Sequence, residues 1–240
     1  MSASPRAASD HAAGGRAASG RVVSGKADSS LAPGSRPDRA ALEAARDREV
    51  PDLLPEPLKL LVVGINPGLW TAATGAHFAR PGNRFYPALA AAGITPHVID
   101  ASTGYRSEDL ALLHRLGLGI TYLVPRATAR ADELSAAELH AGGERLVGTV
   151  LTHRPVAVAV AGVTSFRQAF GARSTTVGRQ EGWPPRALEA AGEHATTLQA
   201  TPLFVVPNPS GLNAHETVES LGRAYAQAAQ AAGLDLHPSR

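Results

Sequence analysis

Two short stretches combine asparagine with proline and glycine in a way that suits a binding or catalytic loop. Gly64-Ile-Asn-Pro-Gly68 follows an apolar run and forms a rigid, sharply turned loop offering one carboxamide, that of Asn66, and several backbone N–H groups. Asn208-Pro-Ser-Gly-Leu-Asn213 follows a second apolar run and has the same character. A carboxamide is a poor base but a good orienting group, and loop N–H groups suit developing negative charge. The same residues also suit plain tight turns in which asparagine bonds its own backbone, and residue types alone leave both readings open.

The elements around these loops decide whether they can meet. Leu58 to Val63, Val156 to Ala161 and Leu203 to Val206 are short apolar runs of the kind that form strands buried on both faces. Between them, Asn83 suits an N-cap for a helix through Ala92, stopped by Gly93. Ser135-Ala-Ala-Glu138 is a capping box opening a helix with Leu139, Leu146, Val147, Val150 and Leu151 on one stripe, ended by Pro155. Thr164 to Phe170 reads as a short helix, and about His215 to Ala232 as a last one with Val218, Leu221, Tyr225, Ala228 and Ala232 inward. Residues 171 to 202 carry no clear pattern. Alternating strands and helices predict one α/β domain of about 185 residues with a mainly parallel sheet, and ligands of such sheets bind at the strands' carboxyl ends, where both loops lie.

Composition narrows the chemistry. The 240 residues contain no cysteine, which excludes disulfides, thiolate metal sites and cysteine nucleophiles and suits a reducing cytoplasm. No HxxxH or HxH pair supports a histidine zinc site, so no metal is expected. Net charge is +2, and it sits in the first 50 residues, with eight basic and six acidic groups; the remainder holds 15 of each. Those first residues are rich in Ala, Ser, Gly and Arg, without an aromatic, and lack the apolar core of a secretory signal. Residues 1–55 are therefore expected to form a disordered tail and Pro-rich linker, with a possible short helix at 40–48, and residues 56–240 the folded domain. No run approaches the ~18 apolar residues of a membrane span, so a soluble, cytoplasmic protein is expected.

Six blocks in order carry a resemblance: Gly64-Ile-Asn-Pro-Gly-Leu69, Thr74-Gly-Ala-His-Phe-Ala79, Pro81-Gly-Asn-Arg-Phe-Tyr86, Gly119-Ile-Thr-Tyr-Leu-Val124, Leu139-His-Ala-Gly-Gly143 and Pro207-Asn-Pro-Ser-Gly-Leu212. Together they resemble the mismatch-specific uracil-DNA and thymine-DNA glycosylase family, from about Leu58 to the end of the last helix. The resemblance implies a three-layer α/β/α sandwich and hydrolysis of the N-glycosidic bond of a damaged or mismatched base in double-stranded DNA. It implies base excision repair by a monomer, nucleoid-associated in a bacterium, with no cofactor.

It also implies residue roles. Asn66 matches the residue that positions the attacking water, and Phe78 the aromatic that stacks on the flipped base. Backbone N–H groups near Ile65 and Phe78, with Asn208, correspond to groups that bind the uracil edge. Leu212, between Gly211 and Asn213, matches a wedge that enters the base stack; Ala214 stands where related members have arginine, with His215 next. Thr71 occupies a position that is Ser in uracil-preferring relatives and Ala in thymine-processing ones, whereas His77 matches the thymine-processing branch. The two signals disagree, and the bulk of Thr71 favours uracil. Lys59 is the one lysine of the folded part and stands at the start of a buried strand, so a monofunctional enzyme is expected. Arg80, Arg84 and Arg126 are expected to supply a basic rim, and the tail weak salt-sensitive DNA affinity. A non-catalytic lesion- or nucleotide-binding module on the same fold is the alternative.

Overall fold

The computed structural model describes residues 34–237; the earlier part of the expected tail lies outside the described residues. The three apolar runs become buried strands and two further strands join them: β1 (Leu60–Gly64), β2 (Leu118–Tyr122), β3 (Ala157–Ala161), β4 (Gly178–Arg179) and β5 (Leu203–Val206). Their order is β2-β1-β3-β5-β4, parallel throughout except for β4, which runs antiparallel to β5. The strand order changes sense between β1 and β3, which puts the switch point that ligands favour in sheets of this kind beside the loop that follows β1.

Helices cover both faces. Early helices are α1 (Arg39–Ala44), α2 (Leu69–Thr74), α3 (Phe85–Ala91) and α4 (Ser107–Leu116); α5 (Ala136–His153) and α6 (Val163–Phe170) follow; α7 (Pro185–Ala191), α8 (Ala195–Gln199) and α9 (Val218–Ala231) complete the set. Leu60, Val62, Ile120, Ala159 and Phe204 point to one face, under α3, α4 and α9. Leu61, Val63, Val158, Val160 and Val205 point to the other, under α5 to α8. This strict alternation of buried strand residues makes the expected three-layer α/β/α sandwich. No described helix is long and apolar enough to cross a membrane.

Several boundaries move for identifiable reasons. The capping box at Ser135 forms as expected, but Arg84 rather than Asn83 is the N-cap of α3; Asn83 Oδ1 instead accepts from Phe85 N at 2.9 Å. The last helix begins at Val218, three residues late, because Thr217 and Ser220 form its capping box and the preceding residues make a separate loop. Within residues 171–202, where no pattern was visible, lie β4, α7 and α8, too short to show a period. Residues expected as linker also pack: Leu53 pairs with Ile120 along the outer side of β2, and Gly119 leaves room for that crossing, since a Cβ there would meet Leu58 Cδ1 at 2.5 Å.

Helix α5 lies so close to the end of β2 that a Cβ on Gly142 would collide with the Leu123 carbonyl, whereas Gly148 on the same helix has open space around it. Gly142→Ala should therefore cost about 1–3 kcal/mol of stability. Gly148→Ala should add about 0.5–1 kcal/mol by helix propensity, and urea unfolding of the two variants checks the contrast.

Candidate active site

Asn66 sits on the turn immediately beyond β1, half-buried, and its side-chain nitrogen is fully committed. Nδ2 donates to Thr128 Oγ1 at 2.7 Å and to the carbonyls of Arg126 and Pro67 at 3.1 Å each. Three oxygens around one NH2 group fix the amide's orientation and leave Oδ1 as the outward acceptor. Thr128, buried, is itself fixed: its hydroxyl donates to Arg130 O at 2.7 Å and its N–H to Pro67 O at 3.2 Å. Sequence reasoning missed Thr128 because a threonine 62 positions from Asn66 carries no local pattern.

The end of β1 is crowded by two aromatic rings. A Cβ on Gly64 would lie 2.6 Å from the Tyr122 ring and 3.4 Å from the tip of Phe78, so glycine is required where these rings close over the strand. Phe78 has a positive φ of 53°, which costs a bulky residue of order 1–3 kcal/mol and is seen where surrounding structure overrides it. Here the override is visible in the preceding peptide: His77 N donates to the Tyr105 hydroxyl at 3.2 Å and His77 O accepts from Tyr86 at 3.0 Å. Phe78 then stacks on Phe85 with ring centroids 4.2 Å apart. The ring is only half-buried, which sets it apart from its core neighbours.

His77 and Thr71 lie behind this aromatic wall. His77 is 3% exposed, with Nδ1 3.1 Å from the Tyr122 hydroxyl, and burial pushes its pKa down to about 4. It is neutral at physiological pH. Thr71 is buried beside the same wall, and burial pushes the pKa of the Tyr122 hydroxyl far up. Ile65 turns its side chain to the second core layer, its tip against Gly162, while its carbonyl accepts from Val124 N at 2.9 Å.

The second loop reaches the first through α3. Arg84 sends its guanidinium into the loop, donating to the carbonyls of Ser210 (2.7 Å), Asn213 (2.6 Å) and Glu216, and its own N–H bonds Pro209 O at 2.9 Å. Gly211 packs on Gly82, whose carbonyl a Cβ would approach to 2.6 Å. Asn208 spends Oδ1 on Ser210 N at 3.0 Å, and Asn213 Nδ2 closes the loop on Asn208 O at 3.1 Å. Held this way, Leu212 projects outward at 79% exposure, the most exposed large apolar side chain among the described residues.

The expected basic rim changes. Arg84 is occupied inside the loop, and Arg126 pairs with Glu138 and Asp47 at 2.5 and 2.9 Å. Arg80 remains as the exposed arginine of the three.

Two outcomes test this geometry. Folded His77 binds its proton at about pH 4 against 6.5 in the unfolded chain, so stability present above pH 6.5 is lost as pH falls towards 4. The full loss is roughly 3 kcal/mol; urea unfolding at pH 7 and pH 4.5 should show a smaller acid loss in His77→Gln than in the native chain. Arg84→Met should cost about 1–3 kcal/mol, with faster limited proteolysis inside residues 208–216.

The family model described as the uracil DNA glycosylase superfamily matches residues 51–230, which include both loops, all five strands and the aromatic wall. The chain belongs to the uracil DNA glycosylase superfamily.

Proposed function

We propose that the protein is a monofunctional DNA glycosylase that removes uracil from mismatched duplex DNA in base excision repair. Membership of the superfamily supports glycosylase-type activity in general, and the observation that carries the finer reading is Asn66, whose anchored nitrogen leaves Oδ1 to accept from a water. That water attacks C1′ of a flipped nucleotide as the N-glycosidic bond breaks, the bonding pair leaving with the base as an anion, which is neutralised by the proton the water gives up on becoming the C1′ hydroxyl. The cation-like sugar and departing anion demand orientation and charge stabilisation more than a strong base.

Other features fit the same reading. Phe78, half-buried beside the end of β1, offers a stacking face for the base. Leu212, exposed on its clamped loop, suits insertion into the gap a flipped base leaves. Lys59 precedes β1 while Asn66 follows it, a separation of roughly 20 Å along an extended chain, which argues against a lysine–sugar Schiff base. Thr71 is buried, and its β-branched bulk supports uracil over thymine as the preferred base.

The test is base release from oligonucleotides carrying G:U, A:U, G:T, G:ethenocytosine and single-stranded U. G:U should be cut fastest, with alkali-labile abasic product and no strand nicking by the protein itself. Asn66→Ala should lower the rate about 100-fold or more. Equal release by that variant would remove Asn66 from the mechanism, and tight binding of mismatched duplex without any release would favour a non-catalytic lesion-binding module.

A further inference from the structure

The residues just ahead of the family match at 51 are folded against the support of Asn66. Helix α1 starts on an Asp38 cap, with Ala41 N donating to Asp38 Oδ1 at 2.8 Å. The chain then turns at Asp47, φ 60°, and runs antiparallel to residues 126–127: Asp47 N donates to Ala127 O, and Ala127 N to Arg48 O, both at 2.9 Å. Ala45 and Val50 are buried against Ala72, Ala73 and Ala127, an apolar contact separate from both faces of the sheet. Around it, Arg126 pairs with Asp47 and Glu138, and Arg46 reaches Glu133 at 2.7 Å. The Arg126 guanidinium and the Ser135 groups hold the Glu138 carboxyl down at about 2, so this partner stays ionised.

What this segment grips is the short stretch that holds Asn66. The carbonyl of Arg126 and the hydroxyl of Thr128, on either side of Ala127, accept two of the Asn66 Nδ2 bonds. We propose that residues 38–50 form a strap that positions Asn66 by fixing residues 126–128, making them positioning residues of the active site although they precede the family domain. Exposed ion pairs contribute little one at a time, so the backbone pairing and the buried Ala45 contact carry most of the hold. The catalytic part of this inference rests on the glycosylase reading.

The experiment uses the full chain. Ala45→Asp places a charge in the apolar contact, and Asp47→Asn removes one ion pair while tolerating the left-handed turn. Hydrogen exchange should rise within residues 124–130 and 65–68 in Ala45→Asp, with α9 unchanged as the internal control, and Asp47→Asn should show a smaller rise at the same places. On G:U duplex, Ala45→Asp should lower kcat about 10-fold with KM within about 2-fold, since small misplacement of a catalytic group costs rate rather than binding. In an Asn66→Ala background the same substitution should have no further effect on the rate. Unchanged exchange at 124–130 in both variants would overturn the strap, as would a rate loss that persists without Asn66. Raised exchange in a chain whose native form releases no base would overturn the glycosylase reading alone and leave the strap's hold on Asn66 standing.

Discussion

Two hydrogens on one nitrogen, facing three oxygens, are the constraint on which the site depends. The carboxamide of Asn66 could present either end to a ligand, and only the convergence of the Pro67 and Arg126 carbonyls with the Thr128 hydroxyl decides which. An amide turned the other way would present a donor in place of an acceptor. The selectivity of this small group for one orientation therefore comes from two backbone carbonyls and one side-chain hydroxyl brought together from two strand ends, not from Asn66 itself.

The rest of the structure can be understood as what that convergence requires. Parallel pairing of β1 with β2 in register, Gly64 opposite Tyr122, delivers residues 65–68 and 123–128 to the same edge of the sheet. Gly64 lacks a side chain so that Tyr122 and Phe78 can close over the strand end. The tyrosine hydroxyls then hold the His77 peptide while Phe78 takes its unfavourable backbone conformation. From Phe78 the order passes through Phe85 to the start of α3 and through Arg84 to the Leu212 loop. A single connected arrangement thus joins the two asparagine loops, which lie about 140 residues apart in the chain.

Much of this was legible from the residues. Continuous apolar runs gave β1, β3 and β5 because strands buried on both faces need no polar alternation, and Ser135 with Glu138 announced α5. β2 escaped notice because Gly119 and Thr121 interrupt its pattern; both are explained by neighbours distant in sequence, Leu53 and Leu58 at one and Arg145 at the other. The roles of Arg84 and Arg126 were equally hidden, since an arginine bonding backbone carbonyls or internal acids has the same composition as one facing solvent. Residues 38–53 read as tail and linker because they hold no aromatic and no continuous apolar run and lead into prolines at 51, 55 and 57, but Ala45, Val50 and Leu53 suffice when the surface they cover is already built.

The crossing of Leu53 over β2 has a meaning beyond local packing. A mainly parallel sheet ends in rows of N–H and C=O groups that a second chain could extend. On the β2 side, Ile120 spends both its N–H and its carbonyl on Leu53, at 2.8 and 2.9 Å. On the far side the sheet tapers to β4, two residues long and reversed in direction. Both margins are blunted by the chain's own backbone, so the framework is poorly suited to templating growth of the sheet by another copy of itself.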